Sequence, residues 1–179
     1  MSNGTDLVRK LIADIVDAQK TYTSLAFDEE EAGKPRPAST PDKIAGLERK
    51  FGHALPSSVK MFLSVYNGVE AFHVDGVLLG TEDHGMPWVA KRIADFNRNW
   101  QDVEPNPFDN HALPLMMGPD IQHFVIIAYD RMNQDGEPLL VEYDQSAEVR
   151  TFPDIQTFLE AELATLQGMI DRQRHGDIV

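Results

Sequence analysis

Two short stretches place oxygen and nitrogen donors close enough in sequence to do chemistry: His73-Val-Asp75 and Glu82-Asp83-His84. A carboxylate beside an imidazole can ligate a metal or relay a proton. Both stretches fall where a hairpin end and a loop are expected, and such positions collect polar residues for turn formation alone. A third candidate is the pair Glu142 and Asp144, which alternates onto one face of an expected strand, as an acid–base pair would. On a solvated sheet edge, however, carboxylates keep their ordinary pKa values. The remaining histidines, His53, His111, His123 and His175, are scattered, and no two histidines fall at i, i+4 on a helix. The chain has no cysteine, which excludes a disulfide framework, a thiol nucleophile and a thiolate metal site. It also lacks a phosphate-binding glycine loop, a nucleophile elbow, an HExxH helix and a calcium loop. The residues therefore describe a protein that is not an enzyme and needs no cofactor or metal. The competing reading is a hydrolase built on the His84 cluster.

Charge is more informative than motif. The 179 residues carry 16 Lys and Arg against 29 Asp and Glu, a formal net charge of −13, which opposes binding to nucleic acid or to an anionic membrane. From Asp102 to Glu162 there are 13 acidic residues and only two basic ones, Arg131 and Arg150. Such a run either keeps the surface solvated or forms a docking face for a basic protein. No stretch of about 18 apolar residues occurs, and charges interrupt the amino-terminal apolar pattern, so neither a membrane span nor a secretory signal is expected. The expected location is the cytoplasm.

The elements that must position these residues follow from periodicity. From Asp6 to about Tyr22, Leu7, Leu11, Ile15 and Val8, Ile12, Val16 form two adjoining apolar rows on a helix. The following Ala26–Ser39 stretch has an acidic run and two prolines, so residues 1–39 are read as a helix and linker appended to a main domain, 40–179. Thr40-Pro41 supplies a cap and a first-turn proline for a second helix that ends at Gly52. A third helix begins at Pro56 and stops at Asn67-Gly68. Strands are expected at Val69–Val74 and Val77–Leu79 around an Asp75-Gly76 turn, then a helix from Pro87 to about Trp100. On that helix Trp88 lies one position off the apolar stripe, which makes it a candidate interface anchor. Gln101–Ala112 reads as an exposed loop. Strands at Leu113–Met117, Gln122–Tyr129, Leu139–Tyr143 and Ala147–Phe152 form an antiparallel meander, and a long helix from Pro153 to near His175-Gly176 closes the chain. With 42% hydrophobic residues a core can close, and the fold class is α+β, an antiparallel sheet flanked by helices.

The order Ile44-x-x-Leu-Glu48, Phe51-Gly52, Leu55-Pro56, Phe62-Leu63 and Asn67-Gly68 resembles the amino-terminal signature of the SMI1/KNR4 superfamily, also called SUKH, where a helix pair precedes an antiparallel sheet. The later Leu113-Pro114-Leu115, Phe124–Tyr129, Pro138–Tyr143 and Phe152-Pro-Asp-Ile155 with Phe158-Leu159 look similar too, so the resemblance covers about Thr40 to Glu162. One departure is Met116-Met-Gly-Pro-Asp-Ile-Gln-His123, where the family often has a glycine-rich stretch. The resemblance implies an SMI1/KNR4-like fold and a non-catalytic protein-binding domain. Many bacterial members are immunity proteins that neutralise a toxin encoded nearby, commonly a nuclease or deaminase; fungal members regulate cell-wall synthesis and signalling. With a basic toxin domain as partner, charge complementarity nominates Asp130, Asp135, Glu137, Glu142, Asp144 and Glu148 as contacts, with Trp88 as apolar anchor. The alternative is a regulatory scaffold that binds a cellular partner and is tethered by the first helix and its linker, in which deleting residues 1–38 abolishes function and leaves the core folded.

Overall fold

Seven antiparallel strands run in sequence order across one sheet: β1 (Lys34–Pro35), β2 (Val69–Phe72), β3 (Gly76–Leu78), β4 (Leu113–Met117), β5 (Phe124–Met132), β6 (Pro138–Asp144) and β7 (Ala147–Phe152). The computed structural model describes residues 4–72, 76–100, 106–108, 112–118, 122–145 and 147–176. Among the described residues five α-helices flank the sheet: α1 (Gly4–Phe27), α2 (Pro41–Phe51), α3 (Ser57–Val65), α4 (Pro87–Asn99) and α5 (Ile155–His175). The fold is α+β, an antiparallel sheet flanked by helices, as the residue pattern implies.

β5 shows how the sheet divides the molecule. Val125 and Ile127 point into one core, shared with α1, α2, α3 and α5; Phe124, Ile126 and Ala128 point into a second core, shared with α4. A strand covered on both faces needs apolar residues at successive positions, which accounts for the unbroken Phe124–Ala128 run. We call the four-helix side the inner face and the α4 side the outer face.

Local signals set the helix ends. Thr40 accepts a hydrogen bond from the Lys43 N–H at 3.4 Å, and Gly52 ends α2 at φ +74° while donating to the Glu48 carbonyl at 2.8 Å. Asp154 caps α5 by accepting from the Thr157 N–H at 2.7 Å, and Gly176 closes it at φ +72°. Asn67-Gly68 does more than stop α3. Gly68 has φ +87°, and a Cβ on Gly80 would lie 2.2 Å from the Asn67 carbonyl oxygen, so the two segments approach as only glycine permits.

The first helix is not an appendage. Val8, Leu11, Ile12 and Ile15 are buried in the same core as Phe62, Phe158 and Leu166, because both apolar rows of α1 face α3 and α5. Nor is the following segment a free linker. Gln19, 1% exposed, accepts from the Gly33 N–H at 2.9 Å and donates to the Ala71 carbonyl at 3.1 Å, and β1 then pairs with β2. The segment before residue 40 thus contributes a helix, α1, to the inner-face core and an edge strand, β1, to the sheet. β3 begins one residue earlier than expected, at Gly76, whereas His73 and Asp75 lie outside the described residues, as does much of the expected Gln101–Ala112 loop.

Candidate protein-binding site

Glu82, Asp83 and His84 are drawn to different neighbours. Asp83, 6% exposed, accepts from both terminal nitrogens of Arg36 and from the Gly80 N–H at 2.7 Å. Glu82 accepts from Lys43 and Asn67, and the Lys43 ammonium is the main cause holding its carboxyl down at about 2. His84 sets its ring edge-on to Phe51 at 5.6 Å, and burial, aided by the Lys50 charge, pushes it down to about 4, so it is neutral at physiological pH. This node ties the β1–α2 segment, the Asn67-Gly68 corner and the turn before α4 together. Among the described residues no group of three or more His, Asp or Glu gathers as a metal site would.

The six acidic candidates separate into groups with unlike roles. Glu142 shares the inner face with Leu140 because the pleat alternates, and it is 4% exposed, so it is not a surface contact. Arg150 reaches it from β7, Nε to Oε2 at 2.5 Å and Nη2 to Oε1 at 3.1 Å, and donates from Nη2 to Glu162 on α5 at 2.7 Å. His123 Nε2 lies 3.0 Å from Glu142 Oε1. Burial raises the Glu142 pKa, but hydrogen bonds from His123 and Arg150 outweigh it and hold the carboxyl at about 2. The reading of Glu142 and Asp144 as a solvated pair is thus corrected for Glu142. Glu137 is also engaged in the fold: its Oε1 accepts the Ser57 N–H at 2.9 Å, capping α3, whose own N-cap residue, Pro56, makes no side-chain hydrogen bond. Glu48 acts similarly nearby, accepting the Leu55 N–H at 2.9 Å.

Asp130, Asp135 and Glu148 lie apart from these, whereas Asp144 follows Glu142 in the alternation of β6. Asp130, Asp135 and Glu148 are exposed, and Asp144 is half-buried at the opposite end of β6. An irregularity between Ala128 and Met132 re-aims the end of β5, and Arg131 Nη1 meets Glu148 Oε2 at 2.6 Å. Thr151 Oγ1 donates to Glu148 Oε1 at 3.4 Å. Tyr143 lies beside them: burial raises its pKa, and the charges of Glu148 and Asp130 raise it further. Trp100, at the end of α4, packs its ring edge-on to Tyr143 at 5.7 Å. An open groove of about 550 Å³ adjoins this cluster, lined by Arg131, Leu139, Thr151, Phe152 and Pro153 with Asp135 and Asp154. Met132 and Val149 stand 54% and 53% exposed on the flanking strands.

Trp88 does not join this site. It is 39% exposed beside Met86, but at the first turn of α4, about 18 Å along the helix from Trp100. Residue-by-residue reading missed Arg131, Leu139, Tyr143 and Thr151 as parts of the face. The available signal was Arg131 itself, the single basic residue between 124 and 144.

A family model described as SMI1 / KNR4 family (SUKH-1) matches residues 38–161, within two residues of the limits set by the signature. No curated protein matches the chain. Domains of this family are in general non-catalytic and bind protein partners. No helix among the described residues is long and apolar enough to cross a membrane.

Proposed function

The chain belongs to the SMI1/KNR4 (SUKH-1) family, and from that premise we propose that it is an immunity protein, binding and neutralising a basic toxin domain through the outer side of β5–β7. The carrying observation is the division of labour among the acids. Glu142, Glu137 and Glu48 are consumed by the fold, whereas Asp130, Asp135 and Glu148 are exposed beside an open groove in which Leu139, Phe152 and Pro153 lie among polar residues. Acidic groups on a rim speed encounter with an oppositely charged partner and set its register, while apolar surface supplies the affinity. A nuclease must attract phosphates, so its substrate groove is basic, and an acidic face can compete for it. The regulatory-scaffold alternative relied on the first helix as a free tether, a support that α1 loses by packing in the core.

The test is co-expression with the carboxyl-terminal domain of the protein encoded beside this chain, scoring growth and copurification at low and high salt. Rescue with a salt-sensitive complex is the expected result. Failure to rescue, with no complex at either salt, would reject the immunity reading.

A further inference from the structure

The groove already holds one cation, supplied by the chain itself. Arg131 lines it and is bonded to Glu148, with the two side chains 38% and 40% exposed. Exposed pairs of this kind contribute little and exchange easily. Between residues 124 and 152 the only other basic residue is Arg150, which is committed on the inner face to Glu142 and Glu162. We propose that Arg131 occupies the position that a basic side chain of the partner takes at Glu148, and that the groove beside it receives the partner's flanking apolar residues. This deepens the immunity reading and rests on it for the partner's identity.

Charge complementarity selects the occupant. An incoming acidic segment would meet Glu148, Asp135 and Asp154. A guanidinium or ammonium would instead gain a charge-assisted hydrogen bond at Glu148, and neighbouring apolar side chains would cover Leu139, Phe152 and Pro153. Displacing Arg131 costs its partly exposed pair with Glu148 and its weaker interactions with Tyr143 and Asp130, and leaves its charge in water. Arg131 therefore acts as an internal competitor that sets a threshold: a partner must offer a better-placed cation, or apolar contacts in addition, to hold the groove.

The experiment titrates the nitrogen-15-labelled chain with a capped Arg-Val-Arg-Val-Arg peptide and, separately, with Glu-Val-Glu-Val-Glu. Expected are amide shifts at Leu139, Thr151 and Phe152 with the basic peptide only. Arg131→Gln tightens binding about two- to fivefold, and Glu148→Gln weakens it. Arg131→Lys, which keeps the charge, stays near the wild type and shows that the altered affinity is not a folding defect. Lys10→Gln removes one positive charge from the solvent side of α1 and leaves binding unchanged, which separates a local competitor from a general charge effect. Weaker binding in Arg131→Gln, an equal gain in Lys10→Gln, shifts away from the groove, or preference for the acidic peptide would each overturn the proposal. Growth rescue without peptide binding in the groove would overturn this proposal and leave the immunity reading intact; groove binding without rescue would do the reverse.

Discussion

Two arginine–glutamate pairs sit on opposite sides of the same strands, and burial gives them opposite meanings. On the inner face Arg150 joins two carboxylates that are almost fully buried, Glu142 and Glu162. On the outer side Arg131 and Glu148 form a partly exposed pair at similar distance. The inner charges left water when the chain folded, and their mutual bonds offset that cost only while all members are present. The outer charges still have water as an alternative partner, so their pair is replaceable. The inner arrangement fixes α5 on the sheet; the outer one is available to another molecule.

The comparison is sharpened most by damage to the inner side. Deleting residues 1–38 removes Val8, Leu11, Ile12 and Ile15 from the core and should abolish cooperative thermal unfolding; Ile12→Ala alone should cost about 2–5 kcal/mol by urea denaturation. Arg150→Ala takes the arginine from two buried carboxylates, leaving Glu142 its contact with His123, and is expected to cost about 3–5 kcal/mol in the same assay. Glu137→Ala removes the cap from α3 and should cost about 1 kcal/mol. Arg131→Ala, by contrast, should change stability by less than about 1 kcal/mol. Equal losses for the two arginine variants would erase the distinction between the faces.

Acid acts on two buried groups in separate windows. His84 is depressed from 6.5 to about 4, so its contribution is complete above 6.5 and is lost as pH falls toward 4, because the unfolded imidazole binds the proton first. Glu142 is depressed from 4.5 to about 2, so its contribution is complete above 4.5 and is lost between 4.5 and 2. Stability measured against pH should fall in both windows. His84→Phe, which keeps an aromatic ring beside Phe51, should flatten the upper window and leave the lower one; an unchanged slope above pH 4.5 would show that His84 is not the group responsible.

Much of the scaffold was legible because its signals are local. Thr40-Pro41, Gly52, Asn67-Gly68 and the alternating rows of α1 and α5 each specify an element within a few residues. The destination of α1 was not legible, since an amphipathic helix states that it must be buried but not against what. Glu142 and Glu148 illustrate the limit at the site. Both are acidic residues on neighbouring strands, and the sequence does not say which strand face the closing helix covers. Only the pairing register, with its shift near Glu142 and Tyr143, sends one inward to Arg150 and leaves the other outside. Glu137 was hidden for a similar reason, because its cap role joins residues 80 positions apart.

The most direct test of the proposed outer face is its association rate with the carboxyl-terminal domain of the protein encoded beside this chain, measured by stopped flow at two salt concentrations for the wild type and for the Asp130→Lys/Asp135→Lys variant. The account predicts that charge reversal slows association about tenfold or more at low salt and removes most of the salt dependence. An unchanged rate with the same salt slope would contradict it.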